Sequence, residues 1–355
     1  MSDAELRIGV LGCSAFARRR MLPAISAAPG TELVAVASRD GARAVETARQ
    51  YGCRPVTGYA ELLALEEVEA VYVPLPAALH ARWVEAALRA GKHVLAEKPL
   101  TTDRARTAGL LALARERGLV LRENVMFVHH RQHEAVRAAL AEGAIGEPRA
   151  LHAAFAIPRL DDSDIRYDPA LGGGALWDVG VYPVRAALHF LGPELRVAGA
   201  VLSHGAGRRV DTSGAAVLHT PEGVTAQLTF GLDHPYVAMY ELWGSEGRLT
   251  VERAYTPPAD FRPRVRLRRA DRDEELPVEC DDQVTNTLTA FARAVTAVMA
   301  VTAVRDGGDV GDGGDVGDAW EGEDAVAGPA VVLRQAELLD EIREAAAERT
   351  PAGAS

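Results

Sequence analysis

The sequence predicts an α/β chain of two domains. A doubly wound, Rossmann-type dinucleotide-binding domain comes first, and an α+β domain on a mostly antiparallel open sheet follows. Three observations carry this. Over the first 120 or so residues, short runs rich in Val, Leu and Ala alternate with helix-like segments. Such runs suit parallel strands buried on both faces and joined by right-handed crossovers. The first run ends in a glycine turn that opens a helix, and beyond about residue 122 the alternation stops and strand follows strand.

In order, RIGVLG (7–12) reads as strand and AFARRRMLPAISAA (15–28) as helix. ELVAVAS (32–38) is strand and GARAVETARQYG (41–52) helix; AVYVPLP (70–76) is strand and ALHARWVEAALRAG (78–91) helix. HVLAEKP (93–99) is strand, DRARTAGLLALARERG (103–118) helix, and LVLRENVMF (119–127) opens another strand. A helix at 133–143 and a strand at 147–158 then lead to a helix near 175–191. Strands recur at 196–204, 214–220, 223–231, 240–253 and 264–269, with TPEG and GSEG as turns. Helices at 283–304 and 325–346 close the chain. The expected domains are therefore 1–122 and 123–346, with 347–355 as a flexible tail.

The 355 residues carry a net charge of −11, which argues against a nucleic-acid or anionic-membrane partner. Most of that charge sits in 306–324, which holds eight acids and no Lys or Arg. Within it GGDVGD occurs twice in tandem, at 307–312 and 313–318. With almost no apolar content, this segment reads as a disordered surface insert. Its spacing matches neither an EF-hand nor a nonapeptide calcium repeat. Three cysteines (Cys13, Cys53, Cys280) without metal or redox spacing suit a reducing cytoplasm. No signal-peptide pattern is visible, and the apolar run 294–304 falls short of the roughly 20 residues a bilayer span needs. A cytoplasmic protein with no bound metal is expected.

The glycine turn reads Gly12-Cys13-Ser14-Ala15-Phe16-Ala17 where G-x-G-x-x-G is usual. Gly12 supplies the tight turn. Ser14 is small where backbone must approach a pyrophosphate, and its hydroxyl can itself donate. Ala17 takes the position where helix packs on strand, which tolerates Ala. The second strand ends in Ser38 and Arg39 rather than an acid. A hydroxyl and a guanidinium suit a 2′-phosphate, so NADP is expected over NAD, with Asp40 turned away. The plain alternative makes Arg39 an exposed loop residue.

Lys98, in AEKPL, stands at the carboxyl edge of a parallel strand, where ligands bind. Asp178 and Tyr182, in GGGALWDVGVYPV, are four apart and share a helix face. Taken singly, these would read as a surface lysine and a packed tyrosine. Together, EKP after a Rossmann-like half and GGGALWDVGVYP in the second closely resemble the Gfo/Idh/MocA family of nicotinamide-dependent oxidoreductases. VYVPLPAALHARW, FVHHRQHEAVR, AEGAIGEPR and FGLDHPYVAMYELWGSEGRLTVERAYTPPAD extend the resemblance over almost the whole chain.

The wording is most similar to the branch that reduces the 3-keto group of nucleotide-linked deoxysugars in antibiotic pathways. The resemblance implies a nicotinamide held between the two halves, with Lys98 and Tyr182 catalytic and Asp178 the acid of the same motif. Relatives often carry His at the position of Tyr182. It also implies a cofactor site of Gly12, Cys13, Ser14, Ala15, Phe16, Ser38, Arg39, Leu75, Pro76, His80, Glu97 and Lys98. For His80, packing at a helix start is the equal alternative.

The chemistry agrees. Hydride arriving at a ketone carbon leaves an alkoxide, which needs a proton and nearby positive charge. A tyrosine, of ordinary pKa about 10, supplies the proton if Lys98 lowers that value; Lys98 is the alternative donor. Asp178 is expected to orient Lys98 or a sugar hydroxyl. His129 and His133 have helical ligand spacing but no third ligand in sequence, so His129 is a substrate candidate rather than a metal ligand. Arg166, Tyr167 and Gln283 are further substrate candidates. Arg264, Arg266 and Arg268 lie on one side of a strand, read as a solvated face, with attraction for a diphosphate as the alternative.

The function expected is NADPH-dependent reduction of a keto group of a nucleotide-linked deoxysugar, in a homodimer or homotetramer formed through the second sheet. A free-sugar, cyclitol or dihydrodiol dehydrogenase is the alternative within the class. A non-catalytic nucleotide-binding regulator is the alternative outside it.

Overall fold

A computed structural model describes residues 5–306 and 327–348. The GGDVGD repeat at 307–318, the rest of the acidic insert from 319 to 324, and the tail from 349 lie outside the described residues.

The first sheet holds six parallel strands: β1 (Leu6–Leu11), β2 (Thr31–Ser38), β3 (Arg54–Thr57), β4 (Ala70–Val73), β5 (His93–Glu97) and β6 (Leu121–Asn124). Their order is β3-β2-β1-β4-β5-β6. The order reverses between β1 and β4, which places the ligand crevice of such a sheet at the loops after those strands. Helices α1 (Leu22–Ala27), α2 (Gly41–Tyr51), α3 (Tyr59–Leu63), α4 (Ala77–Arg89) and α5 (Arg104–Glu116) connect them. Strand β3 is absent from the sequence reading for a physical reason. It is an edge strand, RPVT, whose residues are largely exposed, so no apolar run marks it. The reading of 119–127 as one strand is also corrected. The chain leaves the sheet at Asn124 and makes a 3₁₀ turn over Met126–His129.

The second sheet has eight strands: β7 (Pro148–Ala156), β8 (Arg196–His204), β9 (Asp211–His219), β10 (Thr225–Gly231), β11 (Val237–Gly244), β12 (Gly247–Glu252), β13 (Val265–Arg269) and β14 (Asp273–Leu276). They run β14-β13-β12-β11-β7-β10-β9-β8, and among the described pairs only β7 with β10 is parallel. Side chains alternate as a half-buried sheet requires. Leu151, Phe155, Leu228, Phe230, Tyr240 and Leu242 are buried, while Val201, Val217 and Trp243 on the opposite face are exposed. Strand β14, DEEL, gave no sequence signal because it has no apolar alternation. Helices α6 (Arg131–Ala141) and α7 (Val181–Leu191) belong with this sheet.

Helices α8 (Gln283–Asp306) and α9 (Pro329–Glu348) end the chain. By packing, the described residues form two units: those up to Val125 with Val284–Val332, and Met126–Gln283 with those from Leu333. Almost all of α8 thus groups with the first sheet, although the sequence reading placed it in the second domain. Another expectation changes at this helix. Gln283–Thr302, longer than the apolar run at 294–304, has the length and composition to cross a membrane. Val284, Leu288, Phe291, Val295 and Val298 are nonetheless buried at helical spacing, which is the stripe of a core helix.

Candidate active site

In the first unit the chain leaves β1 at Gly12, whose φ of +121° suits glycine and whose N–H donates to Ala37 O at 2.9 Å. A Cβ there would stand 3.0 Å from Leu75 Cδ2, so the turn lies hard against the β4 loop. Cys13 is buried and its Sγ faces Ala37 O, so any part it plays at the turn is through its backbone. Ser14 Oγ accepts from Ala17 N at 3.1 Å, which leaves the hydroxyl hydrogen to donate elsewhere. Ala15 and Phe16 open the helix, followed by a π turn over Ala17–Met21 that runs into α1. The first amides of a helix have no intrahelical acceptor, so this end presents donors and positive dipole. These features fit a dinucleotide pyrophosphate.

At the end of β2, Ser38 is buried and its Oγ accepts from Asp40 N. Arg39 is exposed, and burial pushes the nearby Tyr59 hydroxyl above its usual pKa while the Arg39 charge pulls the other way. Asp40 caps α2, with Oδ1 accepting from Ala42 N at 3.0 Å and Arg43 N at 3.4 Å. Its carboxylate is committed to that helix end. This edge therefore carries a serine hydroxyl and a guanidinium, a donor set that fits a 2′-phosphate.

Lys98 follows β5, and the residues on both sides of it are tied down. Glu97 Oε1 accepts from Tyr72 OH and from Asn124 Nδ2, each at 2.6 Å. Pro99, joined to Lys98 by a cis peptide, presents its carbonyl to His80 Nδ1 at 2.8 Å. Leu100 N donates to Glu123 Oε1 at 2.8 Å. His80 Nε2 meets Leu75 O at 2.7 Å, so one buried imidazole fastens the β4 turn, Leu75-Pro76, to the Lys98 loop. Burial pushes His80 below its usual pKa, while its two carbonyl partners pull the other way. Tyr72, Glu123 and Asn124 were missed in the sequence. Their one signal was a polar Glu-Asn pair at the end of a buried strand, where an unpartnered polar group is costly.

In the second unit the helix carrying Asp178 and Tyr182 opens after Gly172-Gly173-Gly174. It begins with a π turn, Leu176–Gly180, and continues as α7. A π turn bonds i to i+5 and is wider than an α turn, and such turns recur at functional sites. Buried Asp211 anchors the opening, its Oδ2 accepting from Leu176 N at 2.7 Å. Asp211 was also missed; a single acid at a strand start, in VDTSG, is a weak signal.

Asp178 Oδ2 accepts from Arg166 Nε at 2.6 Å, and Arg166 Nη1 also donates to Asp164 Oδ1 at 3.1 Å. The neighbouring Asp178 carboxylate, more than any other group, raises the Arg166 pKa. Tyr182 is buried within an aromatic cluster, its ring 4.8 Å from Phe155, 5.6 Å from Tyr255 and 6.1 Å from Phe127.

The substrate candidates separate. Arg166 touches Asp178, as above. Tyr167 is buried under the Arg208 guanidinium, and its hydroxyl donates to Leu232 O and accepts from Leu160 N. It fastens its loop. Gln283 is buried and donates to Tyr255 O, placing it beside the aromatic cluster. His129 is half-buried on the 3₁₀ turn, whereas His133 is buried and bonded to Tyr240 OH and Ala254 O. Among the described residues no group of three His, Cys, Asp or Glu is placed to hold a metal ion. Arg266 and Arg268 both pair with Asp273 across the β13–β14 hairpin, which commits them to the sheet.

A parallel sheet in the order 3-2-1-4-5-6, with a glycine turn at its switch point, defines a dinucleotide-binding protein. The chain belongs to the Gfo/Idh/MocA family: residues 6–125 match its oxidoreductase domain, NAD-binding Rossmann fold, and 133–250 match its C-terminal domain. It is 54% identical over 342 residues to dTDP-3,4-didehydro-2,6-dideoxy-alpha-D-glucose 3-reductase of Streptomyces violaceoruber, covering 96% of this chain and 95% of that one. The Actinomadura kijaniata protein of the same name is 53% identical over 290 residues, covering 82% and 87%. Among solved structures, KijD10, a 3-ketoreductase from Actinomadura kijaniata in complex with NADP and TDP-benzene, superposes with a TM-score of 0.85 at 48% identity, covering 96% of this chain and 98% of that one. KijD10 has also been solved with one lysine replaced by alanine and with one tyrosine replaced by phenylalanine.

Proposed function

We propose that this chain is an NADPH-dependent ketoreductase acting at C3 of a TDP-linked keto-dideoxysugar, in the formation of a natural-product sugar. One observation carries the reading. The relatives of that activity align over nearly the whole chain, and the lysine and tyrosine altered in KijD10 have the same separation along the sequence as Lys98 and Tyr182.

When bound, NADPH supplies the hydride that converts the ketone carbon to a carbinol carbon. Tyr182 donates its phenolic proton to the oxygen that becomes negative. The Lys98 ammonium stabilises that developing charge, worth about 3–4 kcal/mol for a well-placed donor. Asp178, held by Arg166, orients a sugar hydroxyl. The donors at Gly12–Phe16 hold the pyrophosphate, and Ser38 with Arg39 hold the 2′-phosphate. The cysteines Cys13, Cys53 and Cys280 are free thiols, which supports the reducing cytoplasm as its place of action.

The open face of the second sheet supports a homo-oligomer. Val201, Val217 and Trp243 are exposed there, and Trp243 stacks 4.3 Å from His152. Val217→Asp is expected to convert a dimer or tetramer to smaller species in sedimentation velocity.

The deciding experiment follows NADPH absorbance with a TDP-3-keto sugar and with a free sugar. Rapid loss is expected with the first alone. Tyr182→Phe and Lys98→Ala should each lower kcat about 10²- to 10⁴-fold, and Tyr182→Phe should leave NADPH affinity unchanged. Tight NADPH binding without turnover of either sugar would sink the reading in favour of a regulator.

A further inference from the structure

The Arg166–Asp178 pair joins a loop to a helix. Arg166 belongs to the loop between β7 and the helix of Asp178, which holds only two short 3₁₀ turns, Ile165–Tyr167 and Pro169–Leu171. Such a loop has little regular structure of its own to aim a guanidinium at a partner 2.6 Å away. Local bonds shape it. Asp164 Oδ1 accepts from Arg166 N at 3.0 Å and from Arg166 Nη1 at 3.1 Å, and Gly174 N donates to Arg166 O at 2.9 Å.

From outside the loop it is gripped by Arg208, in the turn between β8 and β9. The Arg208 guanidinium lies 3.8 Å from the centre of the Tyr167 ring and pairs with Asp162. Asp162 and Tyr167 stand on either side of the Asp164–Arg166 segment, so one side chain brackets it. Of the described turn residues 205–210, Arg208 alone hydrogen-bonds to or stacks on this loop. Loop and turn otherwise face each other across a cavity of ≈ 300 Å³. We propose that Arg208 is a positioning residue for the reduction: it holds the loop that brings Arg166 to Asp178, and so sets the direction of the carboxylate that meets the sugar. The inference rests on the ketoreductase reading above.

The same hairpin reaches the other half of the pair. Three residues after Arg208, Asp211 begins β9 and accepts from Leu176 N at 2.7 Å, where the helix of Asp178 opens. One hairpin thus registers the guanidinium through Arg208 and the carboxylate through Asp211. The loop is tied to the base of that hairpin as well. Tyr167 OH donates to Leu232 O at 3.1 Å, and Leu232 N donates to Thr212 O at 2.8 Å. Of the two Arg208 contacts, the stack carries more. The Arg208 side chain is 16% exposed, and a cation over a ring gains strength as water is excluded. Asp162 is 70% exposed, where an ion pair contributes little.

The test is a double-mutant cycle in the full-length protein, read as kcat/KM for a TDP-3-keto sugar with NADPH. Arg166→Ala should lower kcat/KM about 10²-fold and Arg208→Ala about tenfold, with NADPH affinity unchanged in both. Arg208→Lys keeps the charge beside Asp162 but lacks the flat guanidinium, so its loss should be about threefold. It serves also where Arg208→Ala melts too low to assay. A residue that acts only through Arg166 has nothing left to position once Arg166 is gone. Neither Arg208 variant should therefore lower kcat/KM further in the Arg166→Ala background. Losses that multiply in the double variants overturn the inference, as does an unchanged kcat/KM for the Arg208 variants in the otherwise wild-type chain; both outcomes leave the ketoreductase reading in place. A wild type that does not reduce the sugar overturns that reading and this inference with it.

Discussion

Two helices of this protein open in the same way and end with opposite electrostatics. Each follows a glycine with large positive φ, Gly12 at +121° and Gly174 at +130°, and each starts with a π turn. At the first, the cap is the neutral hydroxyl of Ser14, so the positive end of the helix remains unneutralised. At the second, the buried carboxyl group of Asp211 occupies the helix end. A helix end left positive is a phosphate site; one filled by the protein's own acid is a scaffold. The second helix accordingly offers side chains, Asp178 and Tyr182, rather than amides.

Acid should separate the two regions most. His189 sits in the last turn of α7, and burial, with Arg137 and Arg185 adding, lowers its pKa to about 3. His133 beside it is also held far below 6.5 by burial. The unfolded chain binds protons near pH 6.5 that the folded state refuses, so stability falls as pH drops below 6.5. By pH 4 the cost is on the order of 3 kcal/mol for His189 alone. His93, lowered to about 4 by burial, gives the first domain a similar slope, but the glycine-led helix there carries no histidine. Trp177 lies on the second helix opening and Trp83 on α4. Single-tryptophan variants followed by fluorescence should show His189→Leu moving the Trp177 transition to lower pH and leaving the Trp83 transition in place. Equal movement of both would break the distinction.

The glycines come next. A Cβ on Gly174 would stand 2.5 Å from Asp211 Oδ1, with φ strain added. Gly174→Ala should cost about 3 kcal/mol of stability and lower kcat, with NADPH affinity unchanged. At Gly12 the Cβ would meet a flexible leucine end at 3.0 Å. Gly12→Ala should therefore shift the turn, weaken NADPH binding at least tenfold, and cost about 1–2 kcal/mol. Thermal melts with and without NADPH read both. A common effect on affinity would mean that the two openings share one task.

The sequence made one half of this contrast legible. The strand–glycine–helix order around Gly12 is local, so a pattern four to six residues long discloses it. Lys98, Asp178 and Tyr182 were also local, as motifs. What holds them is not local. Glu97 is clamped by Tyr72 and Asn124, the Pro99 carbonyl is met by His80, and the helix of Tyr182 is capped by Asp211 from another strand. Each partner lies far away in sequence, and the polar residues concerned carry no periodicity that would mark them as buried. Strand β3 escaped for a different reason, since an exposed edge strand containing proline lacks the apolar run by which strands are read.

The smallest effects test the caps themselves. Asp211→Asn retains an acceptor for Leu176 N but removes the charge, so the loss should be about 1–2 kcal/mol, smaller than for Asp211→Ala. Burial raises the Asp211 pKa, so part of the gain from its charge is already offset by desolvation, which holds the Asn penalty toward the lower figure. Ser14→Ala should cost about 1 kcal/mol, because a neutral cap to Ala17 N is lost. The two differ in what ligand does to them. Saturating NADPH binds only the folded state and should raise the melting temperature of Asp211→Asn as much as that of wild type. For Ser14→Ala the rise should be smaller, since the same hydroxyl that caps the helix also faces the proposed phosphate. An identical NADPH-induced rise in Ser14→Ala and wild type would restrict Ser14 to capping, and the first helix end would then bind its anion through backbone amides alone.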